Sequence, residues 1–250
     1  MAQVVVRPVK SRSDQKSFMN LPGSLYRNDP NWVPHLRGEM KSMLGFRKHP
    51  FYEKAECQAF LAERDGQPCG RLHAILNHAH LQQWGDGIGF FGFFESIDDQ
   101  AVADGLFDAA RQWLAERDIH AMRGPTNPSM NYECGLLVDG FDSPPTFMMT
   151  YNPPYYARLI ESYGFAKSHE MYAYYGDVEK DLPPAQEKLA PLAEQIRERF
   201  DVNIRTADTA IFLQEVELFL RLYNDAMLTT WGFVPYSDNE IHHMGKQMKH

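Results

Sequence analysis

The chain has 250 residues, of which 44% are hydrophobic and 23% charged, the balance of a folded globular protein and not of a disordered one. Its 33 acidic and 25 basic residues give a net charge of −8, and no basic stripe breaks that balance. A nucleic-acid partner is therefore not expected, because Lys and Arg neutralising phosphates supply most of that affinity. Cys57, Cys69 and Cys134 are odd in number, widely spaced and form no C-x-x-C pair, so neither a disulfide framework nor a zinc knuckle is expected. No apolar run approaches the ~20 residues that span a bilayer. The opening Met-Ala-Gln-Val-Val-Val-Arg lacks the form of a signal peptide. These features point to a cytoplasmic protein and leave peripheral membrane contact open.

Val4 to Val9 reads as a first strand, and Ser13 or Asp14 can cap a helix running toward Pro22. Tyr26 to Pro50 is aromatic and irregular, since Asn28-Asp29-Pro30-Asn31-Trp32-Val33-Pro34 cannot be helical. Cys57 to Arg64 and Gly70 to Asn77 read as a hairpin around Asp65-Gly66-Gln67-Pro68. Ile88 to Glu95 is a nearly continuous apolar run, the pattern of a buried central strand. A helix follows from Ser96 or Asp98 to about Arg117, with Val102, Leu106, Phe107, Ala110, Trp113 and Leu114 on one face. Ile119 to Arg123 reads as a strand, Pro154 to Ser162 as a short helix ended by Gly164, and His169 to Tyr175 as a strand.

Asp181-Leu182-Pro183-Pro184 is the best domain boundary. Beyond it the pattern gives a helix from about Gln186 to Phe200, a strand at Val202 to Arg205, and a helix capped by Thr206 or Asp208 that carries Phe212, Val216, Phe219, Leu220 and Tyr223. Trp231-Gly-Phe-Val-Pro235 echoes Trp32-Val33-Pro34, which suggests an internal duplication or a chance likeness of short loops.

The stretch from Arg123 to Tyr156 carries the candidate site. It is rich in Pro, Gly and Asn yet also in Met, Phe and Tyr, the mark of an irregular segment that packs and lines a cleft. Glu133 within it, and Glu95 at the mouth of the most apolar strand, are the candidate general bases. For Glu95 the competing reading is a surface or helix-capping acid. Asn127, Asn131 and Asn152 offer amides to a polar ligand, or serve turns beside Pro and Gly. Tyr151, Tyr155 and Tyr156 could donate a proton or line a pocket, or serve packing as most tyrosines do, and Tyr132 beside Glu133 is a further substrate-binding candidate.

Other motifs are weaker. Gly87-Ile88-Gly89-Phe90-Phe91-Gly92 has the letters of a dinucleotide fingerprint, but it opens a strand where a helix N-terminus is needed. His78-Ala79-His80 would put two imidazoles on one strand face without a third ligand, so surface histidines are the better reading and no metal is expected. Ser129 lacks the glycines of a nucleophile elbow. Cys134 sits beside Glu133, which raises a thiol pKa, so a packed cysteine is expected.

The element order, with Asn152-Pro-Pro-Tyr-Tyr-Ala-Arg-Leu-Ile-Glu-Ser-Tyr-Gly-Phe165 at its end, resembles the GNAT superfamily of acyl-CoA N-acyltransferases. Asn127-Pro-Ser-Met-Asn131, Glu133-Cys-Gly-Leu-Leu-Val-Asp-Gly-Phe141 and Tyr151-Asn-Pro-Pro-Tyr155 look more specifically like a bacterial family of tandem GNAT-like halves, longer than this chain, with relatives implicated in bacterial ceramide formation. The resemblance implies an α/β (α+β) fold, a mixed, mostly antiparallel central sheet flanked by helices. Residues 1–180 would be one GNAT-like unit and 181–250 the start of a second, so that either a longer protein completes the site or it is completed some other way. It implies acetyl-CoA or acyl-CoA as co-substrate and a small-molecule or lipid amine as acceptor.

One departure bears on activity. Where such enzymes cradle the coenzyme pyrophosphate on glycines, this chain has Phe94-Glu95-Ser96-Ile97-Asp98-Asp99-Gln100. Asp98 and Asp99 put negative charge in the anion seat, so no cofactor-binding residue is assigned there. A tyrosine usual four residues before the Gly of Gly-Phe is here Ile160. The expectation is an N-acyltransferase whose first unit shapes the acceptor pocket, or else a catalytically inactive GNAT-like module that binds a ligand or partner.

Overall fold

The computed structural model describes residues 3–200 and 205–248. Strand β1 (Val4–Pro8) leads to helix α1 (Arg12–Leu25). The cap of α1 is Ser11, ahead of the expected Ser13 or Asp14, because Ser11 and Asp14 close a reciprocal capping box. The irregular stretch after it holds one short helix, α2 (Arg37–Met43), and a 3₁₀ turn at Pro50–Glu53. The expected hairpin is β2 (Ala55–Arg64) and β3 (Gln67–Asn77). Helix α3 (His78–Trp84) follows, then β4 (Ile88–Ser96), α4 (Gln100–Ala115) and β5 (Ala121–Arg123).

These five strands form one sheet in the order β1-β2-β3-β4-β5. Every pairing is antiparallel except β4 with β5, which is parallel. Helix α4 covers one face: Val102, Ala103, Leu106, Phe107 and Ala110 bury against Phe60, Leu72, Ala74, Phe91 and Phe94. Each such large side chain is worth about 1.5–3 kcal/mol when fully removed from water. Phe18 of α1 and Leu44, after α2, cover the other face with Ala59, Leu61 and Phe93. The result is a mixed α/β layering with helices on both sides of a mostly antiparallel sheet.

Helix α1 carries Pro22, which has no N–H for the carbonyl four residues back. That carbonyl belongs to Phe18, and the Arg71 Nη1 of β3 donates to it at 2.8 Å. A break in one helix thus becomes an anchor point for a buried cation on the sheet.

The central loop starts with short paired strands β6 (Thr126–Asn127) and β7 (Glu133–Cys134). The Gly124–Pro125 and Asn127–Pro128 peptide bonds are cis. Helix α5 (Tyr155–Tyr163) closes on Gly164 at φ +112, a left-handed cap that suits glycine. It packs beside α4 through Tyr156, Leu159 and Ile160. His169 to Tyr175, read above as a strand, is irregular, and Tyr172, Tyr174 and Tyr175 are exposed. Its alternating pattern finds no ladder partner among the described residues, and a strand exists only by pairing.

Helix α6 (Val178–Phe200) begins well before Gln186 and runs through Pro183, Pro184 and Pro191. It is exposed along its length, so water can take the carbonyls those prolines leave free. The expected strand at Val202 to Arg205 lies mostly outside the described residues. A 3₁₀ turn capped by Asp208 leads into α7 (Phe212–Met227), and α8 (Asp238–Met248) packs on it through Val216, Leu220, Phe233, Tyr236 and Ile241. Among the described residues no helix is long and apolar enough to cross a membrane.

Candidate functional site

The site is built by a defect in β4. Along this strand Phe91 and Phe94 face the α4 layer, whereas Phe93 faces the layer under α1. Phe93 has φ +48, rare for a residue with a side chain, and the pairing register with β3 shifts between Arg71 and His73. Two residues of β4 therefore oppose one of β3, which is a β-bulge. The bulge resets the in–out alternation. Without it Glu95 would enter the apolar α4 layer; with it Glu95 lies opposite Arg71 under α1.

Glu95 is held by three donors. The hydroxyls of Tyr26 and Tyr156 donate to its Oε2 at 2.9 and 2.7 Å, and Arg71 Nη2 lies 3.3 Å from its Oε1. Burial pushes the Glu95 carboxyl up, against the pull of Arg71 and the two tyrosines. The same burial, with the carboxylate close by, drives both tyrosines far above their ordinary range. His73, behind Arg71, packs on the rings of Phe18 and Phe93, and burial beside that cation holds it neutral with a pKa of about 3.

Glu133 joins this centre from the loop. Asn127 spans the gap: its Oδ1 accepts from the bulged Phe93 N–H at 2.6 Å, and its Nδ2 donates to Glu133 Oε1 at 3.1 Å. Glu133 Oε2 stands 3.8 Å from His35 Nε2. Burial raises the Glu133 pKa, His35 and Asn127 oppose that rise, and the Glu95 charge adds to it. The side chain of Glu133 is 19% exposed and that of His35 52%. Glu133 is thus a partly desolvated carboxylate with one oxygen fixed and the other turned toward a half-exposed imidazole.

This raised pKa has a stability consequence. An acid whose folded pKa exceeds its unfolded value binds a proton on folding, so stability falls as pH rises through that window. Replacing Glu133 with Gln keeps an acceptor for Asn127 and removes the charge. The Glu133→Gln protein is expected to be more stable than wild type at pH 7 by about 0.5–2 kcal/mol, the usual range for relieving a functional compromise. The gain should vanish below about pH 4, where the unfolded carboxyl also protonates. Urea unfolding at both pH values measures it, and a loss of stability at pH 7 would refute the strain.

The other sequence candidates fall in three places. Tyr156 belongs to the Glu95 cluster, and its hydroxyl also accepts from Ser96 N–H at 2.9 Å. Tyr155 donates to the Ser96 carbonyl at 2.8 Å, and burial lifts its pKa to about 12. Asn152 is buried and pins the loop, accepting from Leu137 N–H at 2.7 Å and donating to the Leu137 and Pro153 carbonyls. Asn131 and Tyr132 point away, toward residues 224–240. Asn131 pairs with both the N–H and the carbonyl of Val234, and Tyr132 donates to Glu240 Oε1 at 3.3 Å. Sequence reasoning missed Tyr26, Arg71 and His35. Arg71 did carry a signal, as the lone charge in the apolar run Gly70 to Leu76.

The weaker motifs resolve as follows. Glycines 87, 89 and 92 lead into and along β4, as expected. His80 corrects the surface reading: it is buried on α3, not on a strand, and its Nε2 meets the Asp86 carboxylate at 3.1 Å. Cys134 is held by burial and then by Glu133 above its ordinary pKa, which leaves it a poor nucleophile. Ser129 is buried, and its Oγ accepts from Asn131 N–H. Among the described residues no group of three His, Cys, Asp or Glu side chains could hold a metal ion.

The N-terminus of α4 does not fit a pyrophosphate. Asp99 caps it by accepting from Ala101 N–H at 2.9 Å and pairs with Arg64 at 2.7 Å. Asp98 pairs with Arg158. The anion seat is filled by the chain's own carboxylates, and the nearby arginines already carry partners.

The fold and this buried centre can be set beside known proteins. Among solved structures, the chain is similar to an aminoglycoside acetyltransferase from an uncultured soil metagenomic sample, crystallised with trehalose or sisomicin. The two share 10% identity and a TM-score of 0.41, over 70% of this chain and 95% of that one. It is also similar to the aminoglycoside N-acetyltransferase AAC(6')-Iy with coenzyme A, at 13% identity and a TM-score of 0.41, over 70% of this chain and 96% of that one. In sequence it is 35% identical over 249 residues to the bacterial ceramide synthase of Caulobacter vibrioides and, equally, to Protein YghO of Escherichia coli. Each alignment takes in 99% of this chain but 64% and 62% of those proteins, so the chain spans a little under two thirds of the length of these relatives. No family model matches.

Proposed function

We propose that the chain is the larger part of an acyl-CoA-dependent N-acyltransferase, and that residues 1–180 form its acceptor side. The observation that carries this reading is the carboxylate pair Glu95 and Glu133, bridged to the β4 bulge by Asn127. An amine attacks a thioester only as the neutral base, so it must lose a proton as it reacts. In this reading Glu133 takes that proton, because among the described residues its Oε2 accepts no hydrogen bond. Glu95 is saturated by Arg71, Tyr26 and Tyr156 and holds the centre rigid. The nitrogen bonds to the acyl carbon, the carbon–sulfur bond breaks, and the coenzyme leaves as its thiol. The name of the Caulobacter relative suggests the acceptor class, since a ceramide is an N-acylated long-chain amino alcohol. Exposed Phe147, Met148 and Met149 give an aliphatic chain a surface to follow. The thioester seat then lies away from α4, on the second unit that residues 181–250 begin.

The test, run on the longer protein that carries the completed second unit, is N-acyl product formation from palmitoyl-CoA and sphinganine, followed by mass spectrometry and thiol release. Glu133→Gln should lower kcat by about 10²-fold or more, the range for losing a general base. Wild-type turnover that the substitution leaves unchanged would remove Glu133 from the mechanism. The occupied α4 terminus favours a second reading, a GNAT-like module that binds without catalysis. Thermal stabilisation by sphinganine alone, about 2.7 kcal/mol at a hundredfold over Kd, with no product, would favour it.

A further inference from the structure

We propose that His35 is the proton exit of the Glu133 site, passing to water the proton that Glu133 removes from the amine. This rests on the acyl-transfer reading above. A carboxylate that is mostly shielded from water must return its proton to solvent before the next turnover. Among the described residues, Glu133 is acted on by Glu95, Arg71 and His35, and it acts on the neighbouring Cys134. Glu95 is saturated by its own donors and is the less exposed carboxylate, with 12% of its side chain accessible. Arg71 stays charged and is 4% exposed. Cys134 turns its sulfur to the Met130 carbonyl. Of these groups His35 reaches toward both sides, with Nε2 3.8 Å from Glu133 Oε2 and half of its side chain in water.

The chain holds His35 there by local structure. Pro34 just before it has a locked φ, and Leu36 just after it is the N-cap of α2. Asn31 Nδ2 ties the same loop to the Phe141 carbonyl at 3.1 Å, which fastens it to the loop that carries Glu133. Imidazole exchanges protons near neutral pH, which suits a relay between a buried acid and solvent. The steps balance. The ammonium gives a proton to the Glu133 carboxylate, the resulting acid gives it to His35 Nε2 once the half-exposed ring closes the 3.8 Å gap to hydrogen-bond length, and the imidazolium loses one to water.

Two measurements test this, and the second needs no turnover. In the palmitoyl-CoA and sphinganine assay at low buffer, His35→Ala should lower kcat tenfold or more with KM unchanged, and millimolar imidazole should restore most of it. A kcat equal to wild type, or a fall that imidazole leaves in place, would overturn the relay. Separately, the NMR resonances of the His35 ring should move when Glu133 is replaced by Gln, because the carboxylate faces its Nε2 at 3.8 Å. Unmoved ring resonances would show that the two side chains do not meet, whatever the enzyme assay gives. Product absent from wild type together with moved ring resonances would count against acyl transfer and keep the facing pair.

Discussion

Arg71→Met should destabilise the protein by about 3–5 kcal/mol at pH 7.5, the cost of stranding one member of a buried ion pair. Arg71 has two jobs that no apolar side chain can share. It neutralises Glu95 across the β3–β4 ladder, and it feeds the Phe18 carbonyl that Pro22 leaves unpaired. Removing it leaves a buried carboxylate with the two tyrosine hydroxyls and takes the Nη1 donor from the Phe18 carbonyl. The pH dependence follows from the sign of the linkage. Without its cation, Glu95 moves further up, so the folded state binds a proton that the unfolded state releases. Stability then falls as pH rises through the window above the unfolded carboxyl value of about 4.3. The deficit should therefore be smaller at pH 5 than at pH 7.5. Adding Glu95→Gln to Arg71→Met should recover part of the loss, because the stranded charge is gone and the orphaned carbonyl remains. Urea unfolding of the two single variants and the double gives the coupling. A single variant within 1 kcal/mol of wild type at pH 7.5 would mean that Arg71 holds neither partner.

This centre was half visible in the amino acids. The expected sheet class, mixed and mostly antiparallel with helices on both faces, is what the chain forms, because the hairpin around Asp65-Gly66 and the amphipathic α4 are local signals. Glu95 and Glu133 stood out as acids in apolar or proline-rich company. Their connection did not. Ile88 to Phe94 is apolar at nearly every position, so no periodicity in it marks where the strand bulges, and a regular strand would send Glu95 the other way. Tyr26 and Arg71 lie 69 and 24 residues from Glu95 and meet it only in the folded chain, one from the end of α1 and the other across the β3–β4 ladder. The asparagines misled for a physical reason. An amide that replaces backbone partners looks the same in sequence as one that awaits a ligand. Asn131 satisfies both groups of Val234, and Asn152 both groups of Leu137. Only Asn127 touches a candidate catalytic group. The failed strand at His169 to Tyr175 belongs with these, since its side-chain pattern was legible and its pairing partner was not.

Gly92→Ala should cost about 3 kcal/mol and disturb the Glu133 site at a distance, which ties the glycines of β4 to function by shape and not by nucleotide binding. A Cβ at position 92 would overlap the Thr126 carbonyl and reach within 3.0 Å of Asn127 Oδ1. The carbonyl is backbone and cannot rotate aside. Relief requires β6 to lift from β4, and lifting it breaks the bond from the Phe93 N–H to Asn127. Two effects then add: overpacking, at about 1–3 kcal/mol, and a buried N–H without an acceptor, at about 1–3 kcal/mol. Asn127 would also draw its Nδ2 away from Glu133, so kcat should fall in step with stability even though position 92 touches no substrate. Gly23, in the last turn of α1, supplies the contrast. Nothing lies within 4 Å of a Cβ there. Gly23→Ala should therefore gain up to about 0.5 kcal/mol from helix propensity alone, with activity unchanged. Thermal unfolding and turnover of both variants decide the matter. If Gly92→Ala were as stable as wild type, the contact between β4 and β6 would be loose, and Asn127 could not position Glu133 as described.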